Sequence, residues 1–370
     1  MKILLIGDAN HQYNLSFCKW LKKTVNCEVS AIDFKSSPES KGNYDSFYPL
    51  NGKKTLLNTK WVGSVYRSIL VKRIIKKNNL GKDIIILQSA IPWIAGISKY
   101  LKNRSNNFVI AFWGSDFYRY KRRNVLRKLI SNAHNIIIGS PQMISDFNTE
   151  FGDLNLKTNL CYFGNEPIEN LKVLKENNTS RQESFKTLGL NEFQINVVIG
   201  HNGSIHNKHI EVIESIKKSV IDKDVNVILP MTYGASTEYL KQVNYKCKSS
   251  LKNFTILTDF MTEQKIAHLR NISDIMVNVQ TTDAFSGSMR EVMYSGGIMI
   301  NGSWLPYEFL KKEGVYFEEV ESTLMIGDKV NLIIQNFNSF SKKAENNSEK
   351  IYELSSWSKT IKAWAQVLNR

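Results

Sequence analysis

The stretch DAFSGSMREVMYSGGIMIN, residues 283–301, carries most of the information about the fold. It follows the apolar run DIMVNV (274–279) and ends in a second run, GIMING (297–302). Each run has the length of a buried strand. Between them lie an acidic residue, a small-residue turn, a helix-like piece carrying Glu291, and a Gly296-Gly297 stop. Strand, loop, short helix and strand make one unit of a parallel sheet covered on both faces. In such sheets ligands collect beyond the carboxyl ends of the strands. Asp283, in the loop, and Glu291, on the helix, are therefore the first residues to weigh as a site.

The same alternation extends in both directions. Upstream run KILLIG (2–7), CEVSAIDF (27–34), DIIILQ (83–88), FVIAFWG (108–114), NIIIGS (135–140) and NLCYFG (159–164). A second series holds INVVIG (195–200), VNVILPM (225–231), FTILTDF (254–260) and the two runs above, with spacers such as HIEVIESIKKSV (209–220). Two series of this length predict an α/β protein of two Rossmann-like, doubly wound domains. The expected division is an N-terminal domain at 1–170, a polar link at 171–194, a C-terminal domain at 195–345, and closing helices at 346–370.

Composition narrows the class. Of 370 residues, 42% are hydrophobic, which supports a sizeable core and argues against wholesale disorder. No apolar run approaches the roughly 20 residues of a membrane span. The N-terminus reads as a buried strand rather than a signal peptide. The four scattered cysteines read as free thiols, which points to a cytoplasmic setting. The net charge of +15 is uneven: residues 1–170 carry 25 Lys and Arg against 12 Asp and Glu, the remainder 24 against 22. VKRIIKK (71–77) and YRYKRRNVLRK (118–128) supply much of the excess, and they suit an anionic membrane surface or a phosphorylated substrate. A nucleic-acid-binding protein is the alternative of another class, but no nucleic-acid-reading motif accompanies the charge.

Asp283 and Glu291 are suited to accept hydrogen bonds from the vicinal hydroxyls of ribose or a hexose. Gly287 and Ser288 open the helix between them, where backbone N–H groups and the dipole favour a diphosphate; Arg290 adds a cation. GHNGSIHNKH (200–209) lies between a strand and a helix. Gly200, His201, Asn202, Gly203, Ser204 and Lys208 make it a second candidate diphosphate cradle. No carboxylate or cysteine set completes a metal site around its three histidines. Tyr233, in PMTYGA (230–235), has two readings, a base-stacking ring or a strand-to-helix turn. In the first domain, Trp113 and Asp116 of FWGSDFYRYKRR (112–123) follow a strand. Asp116 is either an acceptor contact or a helix cap. Arg119, with Lys121, Arg122 and Arg123, is placed to grip a lipid diphosphate. Asp8, Asn10 and His11 of GDANHQYN (7–14) complete the acceptor candidates.

The Asp-x7-Glu spacing followed by VMYSGG resembles the Glu-x7-Glu signature of the family 4 glycosyltransferases with the GT-B fold. The preceding LTDFMTEQKIAHLRNISDIMVNVQTTDAF (257–285) extends the resemblance. It covers most of residues 195–320 and, more weakly, residues 1–165. It implies two facing Rossmann-like domains with a nucleotide sugar in the second, Glu291 on the nucleotide's ribose and Asp283 on the sugar. Basic side chains and helix amides stand in for a metal, and no cofactor is implied. The chain departs from the family in having Asp283 for the first Glu and Trp113 for a histidine. VIGHNGSIHNKHIEVIESI (198–216), VILPMTYGASTEYL (227–240) and FWGSDFY (112–118) are similar to segments of the enterobacterial N-acetylfucosaminyltransferases. Those relatives imply a lipid-linked saccharide acceptor, surface-polysaccharide assembly and a peripheral place on the inner face of the membrane. Family 4 implies retention at the anomeric carbon. The N-acetylfucosaminyl relatives are grouped as inverting, a course that needs a base such as Asp116 or His11. A GT-B nucleotide-sugar 2-epimerase is the rival on the same fold.

Overall fold

A computed structural model describes residues 1–57, 59, 62–218 and 225–369. The end of the helix expected at 209–220 lies outside the described residues. Two compact units are present. Unit 1 comprises Met1–Gly164 and Trp357–Arg370, and unit 2 comprises Asn165–Ser356.

Unit 1 is built on a seven-stranded sheet of β1 (Lys2–Gly7), β2 (Glu28–Asp33), β3 (Ser46–Pro49), β4 (Ile84–Gln88), β5 (Asn107–Phe112), β6 (Asn135–Ile138) and β7 (Thr158–Leu160), in the order β3-β2-β1-β4-β5-β6-β7. Unit 2 holds a six-stranded sheet of β8 (Ile195–Ile199), β9 (Val225–Pro230), β10 (Phe254–Leu257), β11 (Ile275–Asn278), β12 (Ile298–Gly302) and β13 (Glu318–Val320), in the order β10-β9-β8-β11-β12-β13. Every pairing is parallel, as continuous apolar strands require. β4, β5, β6, β8, β9, β11 and β12 are buried along their whole length. Strand order reverses direction between β1 and β4 and again between β8 and β11. The crevice beyond each switch point is where ligands of such sheets bind. The expected architecture of two doubly wound Rossmann-like domains is what the chain adopts.

The boundaries differ from those read off the sequence. The polar link expected at 171–194 is two helices, Glu166–Glu176 and Arg181–Leu188, and both belong to unit 2. The second has a capping box between Ser180 and Glu183 and ends on left-handed Gly189. Lys175, Glu176, Glu183 and Lys186 are exposed and Glu166 is buried, while Ile168, Leu171 and Phe185 enter the core of unit 2. The closing helices expected at 346–370 divide between the units. Asn347–Ser355 stays in unit 2, and Trp357–Leu368 returns to unit 1. There Trp364 packs against Phe17, the tilted rings 4.8 Å apart, and donates from Nε1 to the Tyr162 carbonyl at 3.1 Å. Trp357 lies so close to Gly164 that a Cβ there would meet its ring at 2.1 Å.

The opening stretch folds as its pattern predicts. Ser286 caps helix Gly287–Ser295, its Oγ accepting from the Met289 amide at 3.4 Å. Gly296 ends the helix in the left-handed region, at φ 101°. Gly297 permits a close approach, since a Cβ there would lie 2.5 Å from Val292 and 2.6 Å from the Ser273 carbonyl.

Candidate functional site

The carboxyl edge of the second sheet gathers Glu291, Asp283 and His201. Glu291 projects from the middle of its helix and is buried. Oε2 accepts from Nε of Arg270 at 2.8 Å, and Oε1 accepts from Nδ2 of Asn165 at 2.9 Å. Asn165, the first residue of unit 2, also donates to the Gly287 carbonyl at 3.1 Å, tying that helix to the start of the unit. Asp283 accepts from the Tyr307 hydroxyl and from the Ala284 amide. Burial beside this carboxylate pushes the Tyr307 phenol far above its ordinary range, so it stays a donor. His201 follows β8 directly. Burial lowers its pKa, with Asp283 opposing, Arg270 adding to the fall and Glu291 opposing. At neutral pH it is an uncharged imidazole.

In the loop 200–209 three of the amides that the sequence offers as a cradle are engaged within unit 2. The Gly200 amide donates to the Val277 carbonyl and the Gly203 amide to the Tyr233 carbonyl, at 3.1 and 2.7 Å. The Ser204 amide donates to Oδ1 of Asn202 at 2.9 Å. Gly200, Gly203 and Ser204 thereby hold the shape of the loop. Lys208 is different: at φ 55° it carries its ammonium over the Trp304 ring, 4.6 Å from the centroid. His209 is buried, contacts the Tyr239 hydroxyl at 3.2 Å, and has its pKa lowered to about 4 by burial. Tyr233 is exposed. Arg290 is buried, with Nε on the Ser286 carbonyl at 3.2 Å and its guanidinium over Phe285. Gly287 and Ser288 occupy the first turn of their helix, Ser288 with its hydroxyl on that of Ser286 at 3.0 Å.

In unit 1 the loops after β1, β4 and β5 converge. Trp113 donates from Nε1 to Oε1 of buried Gln88 at 3.1 Å and packs against His11 and Tyr13. His11 caps helix Gln12–Thr24 through Nδ1. Part of the residue is open to solvent, yet the packed imidazole is desolvated enough to lower its pKa against the pull of Asp8. Asp116 proves to be a backbone clamp. Oδ2 accepts from the Ala90 amide at 2.7 Å, and Oδ1 from the amides of Trp113 and Gly114 at 3.0 and 2.9 Å. Gly114 holds φ 111°, a conformation that side chains avoid. Neither the acceptor nor the base reading fits a carboxylate so engaged. Asn10 is likewise a loop staple, to the Glu39 carbonyl and the Lys41 amide. Asp8 lies within electrostatic reach of His11, and Arg119 is exposed. Arg123 leaves the anion-gripping set, because it pairs with Glu150 at 3.0 Å and caps the Phe117 carbonyl.

Sequence reasoning missed Asn165, Arg270 and Tyr307. Asn165 lies in FGNEP (163–167), read as a structural hinge. Arg270 sits in a segment read only for its strand and helix order. Nothing local marks these residues, since their roles depend on contacts 21 to 126 positions away.

Sucrose-phosphate synthase from Thermosynechococcus elongatus superposes at a TM-score of 0.75 and 12% identity, over 100% of this chain and 98% of that one. A glycosyltransferase from Rickettsia africae gives 0.75 and 13%, over 100% and 97%. The Anabaena protein HepE, solved in complex with UDP-glucose, gives 0.68 and 14%, over 100% and 99%. At these identities the likeness speaks to fold, which is GT-B. No curated protein matches the chain at the sequence level. The family described as 4-alpha-L-fucosyltransferase glycosyl transferase group 56 matches residues 71–276, more than half of the chain. With that span inside a GT-B fold, the chain belongs to glycosyl transferase group 56 and is a GT-B glycosyltransferase.

Proposed function

We propose that the protein transfers a deoxyhexosyl group from a nucleoside-diphosphate sugar to a hydroxyl of a lipid-linked saccharide, in bacterial surface-polysaccharide assembly. Unit 2 takes the donor, with Glu291 and Asp283 on its hydroxyls and Lys208 near its diphosphate. Unit 1 takes the acceptor beside His11 and Trp113. The observation that carries the donor half is the buried Glu291, held ready at the carboxyl edge of the second sheet by Arg270 and Asn165. The family's fucosyltransferase description supports a 6-deoxy sugar. Lys208 is the cation suited to the leaving diphosphate, a role worth about 2–4 kcal/mol in comparable sites, and no metal is required. Retention follows the family 4 likeness, and His11 remains the base candidate for an inverting course.

Helix Val62–Lys77 supports the lipid half. Val62, Val65 and Ile69 are exposed along one face, Val65 at 62% and Ile69 at 54%. Lys72, Arg73, Lys76 and Lys77 are exposed beyond them. An apolar stripe continued by cations suits the interface of an anionic bilayer. No described helix is long and apolar enough to cross one. Mass spectrometry of the purified protein with a panel of nucleotide sugars, with and without EDTA, tests the donor half. Absence of any retained nucleotide sugar would remove it. Sedimentation with phosphatidylglycerol vesicles tests the lipid half: binding falls with salt and with Val65→Asp, and salt-insensitive or absent binding would remove it.

A further inference from the structure

Two buried polar atoms without partners among the described residues lie in the neighbourhood of one carboxylate in unit 2. Arg270 stands in the last turn of helix Glu263–Asn271 and is 4% exposed. Its Nε serves Glu291, while its Nη1 is buried without a hydrogen-bond partner among the described residues. Nδ1 of His201 is buried and unpartnered in the same way. His201 feels the charges of Asp283, Arg270 and Glu291, so the four groups share one neighbourhood. Tyr307 fixes Asp283, and Asn165 fixes Glu291.

Fold stability alone does not account for this arrangement. An unsatisfied buried donor costs about 1–3 kcal/mol, and more when charged. An arginine present only to neutralise Glu291 would close the fork with two parallel bonds. Arg270 instead offers one nitrogen to the carboxylate and leaves another over. Charge then selects the ligand. Two carboxylates against one guanidinium and a neutral imidazole leave the neighbourhood negative, which disfavours a phosphate. An alcohol fits, because its O–H donates to a carboxylate lone pair while its oxygen accepts from an N–H.

We infer that Arg270 and His201 bind a vicinal diol of the donor, with Arg270 Nη1 donating to the hydroxyl that itself donates to Glu291. The inference rests on the nucleotide-sugar reading above and adds two residues to it. The diol has two sources, the ribose and the transferred sugar.

Isothermal titration of the full chain with UDP, ADP and GDP, whose riboses carry a vicinal diol, identifies the best-bound nucleotide. Its 2′,3′-dideoxy counterpart and its glucose conjugate are then titrated against native protein, Arg270→Lys and His201→Ala. If the ribose is the source, the dideoxy nucleotide binds the native chain about 10- to 100-fold more weakly. The same change then matters by less than about threefold in Arg270→Lys. If the sugar is the source, the two nucleotides bind the native chain alike. The extra affinity of the glucose conjugate then disappears in Arg270→Lys. Either pattern supports the inference. Folded variants, verified by circular dichroism, that bind every probe like the native chain overturn it. Should Arg270→Lys fail to fold, His201→Ala carries the same comparison, since Nδ1 holds nothing in the protein. A native chain that binds no nucleoside diphosphate overturns the donor reading itself, and the inference with it.

Discussion

Each sheet has an acidic residue beside its carboxyl edge, and the two are held in different ways. Asp116 in unit 1 takes its hydrogen bonds from the backbone of Ala90, Trp113 and Gly114. Glu291 in unit 2 takes them from side chains, Arg270 and Asn165. Near Asp116 one buried side-chain atom, Oδ1 of Asn14, is without a partner among the described residues. Around Glu291, Arg270 and His201 both have one, and His209 has another nearby in sequence. A carboxylate surrounded by amides fixes the path of a loop. A carboxylate among side chains with bonding capacity to spare is the one on which the donor proposal rests. Strand position nominates both residues equally, and only the partners tell them apart.

The sharpest way to break this contrast is Glu291→Ala. Removing one member of a buried pair leaves Arg270 uncompensated, a loss of about 3–5 kcal/mol. Glycosyl transfer should fall to near background. Denaturant melts and single-turnover assays measure the two effects, and a variant with native turnover would return Glu291 to the architecture.

His209 gives a pH signature to unit 2. Its pKa is about 4 in the folded protein against 6.5 when exposed. The unfolded chain therefore takes up a proton as the pH drops below 6.5, while the folded chain resists until near 4. Stability is fully present above 6.5 and is lost as the pH falls through that window, by up to roughly 3 kcal/mol. His209→Gln should flatten this segment of the stability curve. A curve of unchanged slope would show that the buried imidazole is not its source.

Asp116→Asn should cost about 1–3 kcal/mol, because an amide carbonyl cannot serve the three N–H groups now shared between two oxygens. Nucleotide affinity should stay native. A selective loss of affinity without a change in melting would place Asp116 beside Glu291 after all. Smallest is Trp113→Phe, which leaves Oε1 of buried Gln88 without its indole donor. About 1 kcal/mol of stability is expected to go, with acceptor KM rising more than kcat falls if the indole faces the saccharide. Unaltered acceptor kinetics would leave Trp113 to packing alone.

Much of the fold was legible. Continuous apolar runs such as IIILQ (84–88) and NVVI (196–199) can only be strands buried on both faces, and helical spacers between them force parallel pairing. Asp283 and Glu291 were legible as well, because a loop and helix after a strand must emerge at the carboxyl edge. The boundaries were less legible. Helix Trp357–Leu368 follows directly on residues of unit 2, yet Trp357 and Trp364 find their partners around Phe17, Tyr162 and Gly164. The capping box at Ser180 was readable from Ser-x-x-Glu, but a polar composition obscured it.

What the sequence determined by itself is periodicity: where strands and helices run, and which loops open at the ligand-binding edge. Periodicity is local, and burial enforces it at every step. What each polar side chain at that edge does was decided only by the tertiary structure. Hydrogen bonding is directional and short-ranged, and the partners come from distant parts of the chain. Asn165 and Arg270 acquire their meaning at Glu291, just as Asp116 loses its apparent one at Ala90.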